Sequence, residues 1–322
     1  QNFPNHVRPM GFVMPLYGKK ARHPLAFRAA FALDAALTMD RNWGLQDASK
    51  INRRRVLSTQ DMIAMVPGVR MSGLLGGALW SDAVAADGEA LFSALRARAE
   101  AAGCEIYEGA RVTALETEHG SVHAVRCTSV DGREEKLGAR VVVNAAGPWS
   151  AALATALDRP HPELFYPSLA FNLVLDVPPP AAVGVALSPP DRPDQTLFLY
   201  PLKQGTFAGT WHSTWDTGSE DGILPPAHEI EAFLDALNRS HPKLNAKRGQ
   251  IQKVHAGLLP VRTRGSTDLA VRETILDHGE NGGPIGLYSV SGVKFTTARL
   301  VAAKVINQIL ASQRVPEFSK TR

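Results

Sequence analysis

Two junctions constrain this chain more than any other feature of it. Around residues 139–150, ARVVVNAAGPWS runs from an unbroken valine stretch into Ala145-Ala146-Gly147, and Pro148 then opens a helix. Around residues 286–300, GLYSVSGVKFTTARL passes from an apolar run through Ser291-Gly292 to a lysine and a second helix. Three consecutive valines, without polar alternation, read as a strand buried on both faces, as in parallel sheets. A glycine at the strand end lets backbone come close to a bound group, because no Cβ stands in the way. From Gly147 to Gly292 is 145 residues. The chain is therefore expected to leave one lobe and return to it.

The length of 322 residues fits that expectation, since single cores tend to stop growing near about 250 to 300 residues. Residues 1–70 read as mostly helical, with PLAFRAAFALDAALTMD forming a helix that ends near Asp40. An amphipathic helix follows over 87–102, with Leu91, Leu95 and Ala99 on one face and Gly103 as its stop. Strands are expected over 105–116, 121–130 and 139–146, and four more between 165 and 215. A helix over 227–239 precedes strands at 250–256, 268–277 and 285–290. The last helix, 296–312, presents Ala298, Val301, Ala302, Val305 and Ile309 as its inner face.

The 35 basic residues against 31 acidic ones leave a net charge of only +4, too mild an excess to call for nucleic acid. Its sharpest cluster, Arg53-Arg54-Arg55, reads as a solvated loop face. Cys104 and Cys127 form no CxxC and have no histidine at ligand spacing, so no metal site is expected. They read as small buried hydrophobes in strands of a reduced, cytoplasmic protein. No apolar run approaches the roughly 18 to 20 residues of a spanning helix. The chain starts at Gln1 with fold-like apolar content, and is expected to be a piece of something longer.

At the second junction, free amides near Phe295 to Thr297 give the helix start a partial positive charge, and Lys294 adds a full one. Together they suit an anion. His212 and His255 read as packed or surface histidines, and Trp80 as a packing aromatic.

GARVTAL, ARVVVNAAGPW and SVSGVKFTTAR, in that order and spacing, resemble three segments of the FAD-dependent glycerol-3-phosphate dehydrogenases, flavoproteins of the D-amino-acid-oxidase superfamily. QNFPNHVRPMGFVMPLYG, GALWSDAVAADGEAL, FLYPLKQGTFAGTW and AVRETILD fall where that family has corresponding segments. The resemblance implies a mixed α/β, two-lobed FAD-binding fold: an incomplete Rossmann-like lobe plus an antiparallel-sheet substrate lobe. On this basis 1–70 is a helical segment of the substrate lobe and 71–160 part of the FAD-binding lobe. Residues 161–283 form the substrate lobe, and 284–322 return to the FAD-binding lobe.

The resemblance also implies site residues. Val112 matches a strand whose backbone touches the adenine end of FAD, and Ala146 and Gly147 match the turn lining its ADP portion. Gly292, Val293, Lys294, Phe295 and Thr296 match the turn and helix start under the flavin ring. Arg272 matches an arginine near the substrate anion, and Lys294 lies between flavin and substrate. There the helix end and the lysine face the ring edge where negative charge collects on reduction.

Three departures stand out. The family's GxGxxG is missing, and GLLGGA at 73–78 has the wrong spacing. Leu259 replaces a phosphate-binding arginine, with Arg262 three positions on. Asn172 replaces an active-site histidine. The expectation is an FAD-dependent enzyme oxidising a small hydroxy compound, glycerol 3-phosphate or a related anion, and passing electrons to a quinone or another acceptor. It would be cytoplasmic or peripheral to the inner face of a membrane. The alternatives are an amino-acid-oxidase type of flavoenzyme and a non-catalytic binding module.

Overall fold

The computed structural model describes residues 3, 6–18, 22–45, 50–85, 87–192, 195–215, 222–292 and 294–312. In chain order its first half contains β1 (Val7–Leu16), α1 (Pro24–Leu37), β2 (Arg55–Leu57), α2 (Thr59–Met65), β3 (Gly76–Ala85), α3 (Gly88–Ala101), β4 (Arg111–Glu118), β5 (Ser121–Thr128), β6 (Glu134–Gly138), β7 (Val142–Asn144) and α4 (Ser150–Leu157). Then come β8 (Tyr166–Leu175), β9 (Gly184–Leu187), β10 (Leu197–Pro201), β11 (Thr206–Thr214), α5 (Ala227–Ser240), β12 (Ile251–Val261), β13 (Thr274–Asp277), β14 (Leu287–Ser291) and α6 (Ala298–Ala311). This mixed α/β chain with several sheets is the expected class. Among the described residues, no helix is long and apolar enough to cross a membrane.

Two compact units are formed, one from residues 1–105, 171–211 and 224–256, the other from 106–170, 212–223 and 257–322. The first unit holds most of an eight-stranded sheet ordered β12-β8-β11-β10-β9-β1-β3-β2. The ends of β8, β11 and β12 are counted with the second unit. Its core centres on Phe233 of α5, which stacks on Trp211 at 5.4 Å and meets Phe171 edge-on at 5.7 Å. The indole of Trp211 keeps its polar end satisfied by donating to Glu229 Oε2 at 2.6 Å.

The second unit holds two three-stranded sheets, β13-β14-β7 and β4-β5-β6. β14 runs parallel to β7, with Leu287 opposite Val142 and Ser289 opposite Asn144. Alternation along β14 serves two cores. Leu287 packs with Val122 and Leu157, while Tyr288 packs with Val305 and Ile309 of α6. Burying each such side chain is worth about 1.5 to 3 kcal/mol.

Several expectations are corrected. Residues 1–70 are not mostly helical, because β1 pairs along its whole length with β3. Pro9 and Pro15 punctuate β1, but β9 meets it only at Phe12 and Val13, so the prolines lie where one edge of the strand is unpaired and a missing N–H costs little. The valine run is not buried on both faces: β7 is only three residues long and Val143 is 40% exposed. As the sheet's edge strand, β7 leaves that role to the central β14. Glu134–Gly138 forms a strand despite its charges, because the turn at Asp131-Gly132 folds it back on β5. The strand expected over 105–116 starts only at Arg111, and the one expected over 268–277 only at Thr274. Cys104 is exposed beyond the end of α3, whereas Cys127 is buried in β5. Ala298 and Ala302 are exposed, and α6 buries Val301, Val305 and Ile309. GLLGGA leads into β3, where a Cβ on Gly76 would run into the Leu57 carbonyl.

Candidate functional site

Parallel pairing of β7 and β14 brings both strand ends to the same side of their sheet. At the end of β7 the buried Asn144 organises the turn. Its Nδ2 donates to the Ser150 carbonyl at 2.8 Å and to Ser289 Oγ at 3.0 Å, and its Oδ1 accepts from the Ala146 amide at 3.2 Å. Gly147 then takes φ +58, a conformation that suits glycine. Apart from the glycine itself and its chain neighbours, no heavy atom of the described residues lies within 4 Å of where its Cβ would stand, so the backbone is open to an approaching group.

At the end of β14, Lys294 is extended and caps the turn Phe295–Thr297 that leads into α6. The Thr297 amide and hydroxyl both donate to the Lys294 carbonyl, at 3.2 and 2.9 Å. The preceding amides of Phe295 and Thr296 come before the first bond of the helical segment, where donors are left over. Lys294 and Thr296 are exposed.

Both junctions open on one cleft of about 590 Å³, whose lining includes Val143, Gly147, Leu259, Gly292, Lys294 and Phe295. The structure thus brings Gly147, Gly292, Lys294 and Phe295 together, with Ala146 and Thr296 adjacent in the chain. Leu259, the residue that departs from the family pattern, lies on the same wall. Val293 is outside the described residues. Val112 packs beside the Val122–Leu157–Leu287 cluster. Arg272 is exposed in the bend before β13, not on a strand. Asn172 belongs to the other unit, on β8, where its Oδ1 accepts from Thr210 Oγ1 at 2.9 Å. Trp80 stacks on Phe12 at 5.8 Å. His255 lies 6.2 Å from Phe207, and burial lowers the His212 pKa.

Sequence reasoning missed a buried network behind the β7 turn. His278 Nδ1 is 2.8 Å from Asp158 Oδ2, and His278 Nε2 is 2.9 Å from Ser289 Oγ. Ser289 in turn accepts from Asn144, so the chain of bonds reaches the turn that lines the cleft. His161 bridges Glu163 at 2.9 Å and Asp158 at 3.4 Å. Burial alone would raise the Asp158 carboxyl, but hydrogen bonds from His278 and His161 and nearby positive charge hold it below the ordinary range. The Glu163 carboxyl is held down in the same way, against its own burial. Burial pushes His278 below its ordinary value against the pull of Asp158. Ligand-type atoms of Asp158, His161 and His278 lie within 4.8 Å of one another. No local spacing announces this group, since Asp158 and His278 are 120 positions apart.

The profile of a family described as FAD dependent oxidoreductase matches residues 16–307. The chain is 26% identical over 319 residues to a glycerol-3-phosphate dehydrogenase of Mycobacterium leprae, covering 96% of this chain and 50% of the relative. It is 27% identical over 271 residues to the mitochondrial glycerol-3-phosphate dehydrogenase of Arabidopsis thaliana, covering 80% and 41%. The chain spans about half the length of the curated relatives it matches. Among solved structures, the glycerol-3-phosphate dehydrogenase from Bacillus halodurans complexed with FAD aligns with TM-score 0.70 and 19% identity, over 99% of this chain and 55% of that one. An L-α-glycerophosphate oxidase from Mycoplasma pneumoniae with FAD bound aligns at 0.63 and 14%, over 94% and 73%. These likenesses carry the fold.

Proposed function

Because this chain belongs to the FAD dependent oxidoreductase family, we propose that it acts as a flavin-dependent dehydrogenase on a small hydroxy compound, glycerol 3-phosphate or a related anion. One observation carries the reading: two strand–glycine–helix junctions, far apart in sequence, open on one cleft with a lysine at its mouth.

The residues present fit part of the cofactor. Walls of Val143, Val290, Leu259 and Phe295 suit a flat ring system, Gly147 leaves backbone approachable, and Lys294 offers a cation. A glycine-rich strand-to-helix turn of the kind that cradles a pyrophosphate does not occur among the described residues.

When bound, FAD supplies the acceptor for a hydride. The chain's own residues do the rest. Apolar side chains of Val143, Val290, Leu259 and Phe295 offer a bound ring a surface to pack on, and covering that surface strengthens electrostatic interactions beside it. Lys294 and the leftover amides of the turn place positive charge where negative charge grows during the reaction, which favours the transition state over the ground state. Arg272 binds the substrate anion, and Asn172 positions the substrate. Electrons then leave to a quinone or another acceptor.

The test is spectroscopic. Protein expressed from its complete reading frame is purified and mixed anaerobically with glycerol 3-phosphate. A visible flavin band that bleaches supports the reading. Bleaching by an amino acid instead would redirect the substrate, and colourless protein that takes up no FAD would end the enzymatic reading.

A further inference from the structure

In the first unit, α1 and the segment entering β2 enclose a cleft of about 760 Å³ that the flavin reading does not use. Five of its lining residues are arginines: Arg28 on α1, Arg41 beyond it, Arg53 and Arg54 before β2, and Arg55 at its start. Its single acidic lining residue, Asp34, pairs with both Arg41 and Arg54. Five positive charges against one negative leave +4 in the cleft, which equals the formal net charge of the whole chain. The remaining residues therefore balance, and the entire excess is concentrated in one concavity.

Among the described residues, no carboxylate pairs with Arg28, Arg53 or Arg55, and Arg54 Nε is buried without a hydrogen-bond partner. Crowded like charge of this kind costs stability unless something opposes it. As the sequence suggests, Arg53 and Arg55 are exposed to solvent, and the structure adds that they share one concavity with Arg28 and Arg41. Apolar groups of Phe31, Ile51 and Val56 form part of the wall and lower the local dielectric, which strengthens attraction for an anion. Guanidinium groups match phosphate oxygens in a planar, two-pronged way that ammonium groups do not. The volume falls within the roughly 300 to 1,000 Å³ of small-molecule sites.

We propose that this cleft binds an anion carrying two phosphate groups, either a free diphosphate compound or the headgroup of a diphosphate lipid. None of the residues concerned is among those assigned to the flavin cleft, so the proposal stands independently of the catalytic reading.

The test uses the whole 322-residue chain. Inorganic pyrophosphate is titrated calorimetrically, and the chain is sedimented with phosphatidylcholine vesicles prepared with and without cardiolipin. Saturable pyrophosphate binding that weakens with added salt is expected, and the Arg53→Ala, Arg55→Ala double variant should lose about tenfold or more in affinity. Arg28→Gln, on a separate element, should also weaken binding, with an unchanged melting curve excluding a folding defect. Sedimentation only with cardiolipin vesicles, competed by pyrophosphate, would identify a lipid headgroup. Pyrophosphate binding without sedimentation would identify a free compound. Binding of neither probe, or binding unaffected in both variants, would overturn the proposal.

Discussion

His278 Nδ1 lies 2.8 Å from Asp158 Oδ2, a contact between residues 120 positions apart that joins β13's outgoing turn to the end of α4. The surrounding bonds assign the tautomer: Nδ1–H donates to the carboxylate, and Nε2 accepts from the Ser289 hydroxyl. Both groups make the fold sensitive to acid, with the same sign. Asp158, held below the ordinary carboxylate range, contributes stability that is complete above its unfolded pKa near ~3.9 and is lost as pH falls through the lower folded value. His278 is also held below its ordinary value. The unfolded imidazole then takes up a proton near pH ~6.5 before the folded one does, so stability declines as pH drops below that point. Denaturant unfolding across pH should show both declines. Asp158→Asn should cost about 1.5 to 3 kcal/mol at neutral pH and make the lower decline shallower without abolishing it, because Glu163 and other carboxylates are also held below their ordinary range. A flat profile in the wild type would contradict this assignment.

Gly147→Ala tests the turn at the end of β7. The backbone at φ +58 should make a Cβ cost about 1 kcal/mol in stability. The methyl would also project into the open space beside the turn expected to line the cofactor's ADP portion, so flavin affinity should fall further than the stability change explains. Paired denaturant and flavin titrations measure both. Equal affinity in wild type and variant would mean that the cleft holds nothing at this position.

The two junctions that line the cleft were readable because their signals are local. A strand, a glycine and a helix follow one another within about a dozen residues at 139–150 and again at 286–300, and parallel pairing of β7 with β14 is what puts Gly147 and Lys294 on one cleft. Three things were not readable. The His278–Asp158 network is assembled by tertiary packing, so no spacing encodes it. β1 was hidden by Pro9 and Pro15, whose missing N–H groups matter only once the neighbouring strands are known. Burial of the valine run depended on whether β7 is central or at an edge, which its three residues cannot reveal.

Gly209→Ala tests the environment of Asn172. A Cβ at Gly209 would overlap the Asn172 Oδ1 that accepts from Thr210, so the amide must turn away and the bond must break. Overpacking of this kind costs about 1 to 3 kcal/mol. If Asn172 positions the substrate, kcat/KM should fall in the FAD-loaded protein beyond what the melting curve predicts. Unchanged kinetics would leave Asn172 as a packing residue.

Arg272→Ala addresses the substrate anion. Loss of a charge-assisted, two-pronged contact should raise KM roughly 10- to 150-fold with a smaller effect on kcat. An unchanged KM would assign Arg272 to the solvated surface of the bend it occupies.

Lys294→Met tests the central claim most directly. A cation preorganised where charge grows should matter more to the transition state than to the bound ground state, and removing one such group typically slows reaction by about 10²- to 10³-fold. A lysine serving only as a solvated helix cap would contribute well under about 1 kcal/mol. The measurement is anaerobic stopped-flow reduction of the FAD-loaded protein at saturating substrate, comparing wild type with Lys294→Met. The account predicts reduction slowed by at least about 100-fold with flavin affinity nearly unchanged; reduction within about threefold of wild type would contradict it, because a loss that small is no larger than a solvated cap would give.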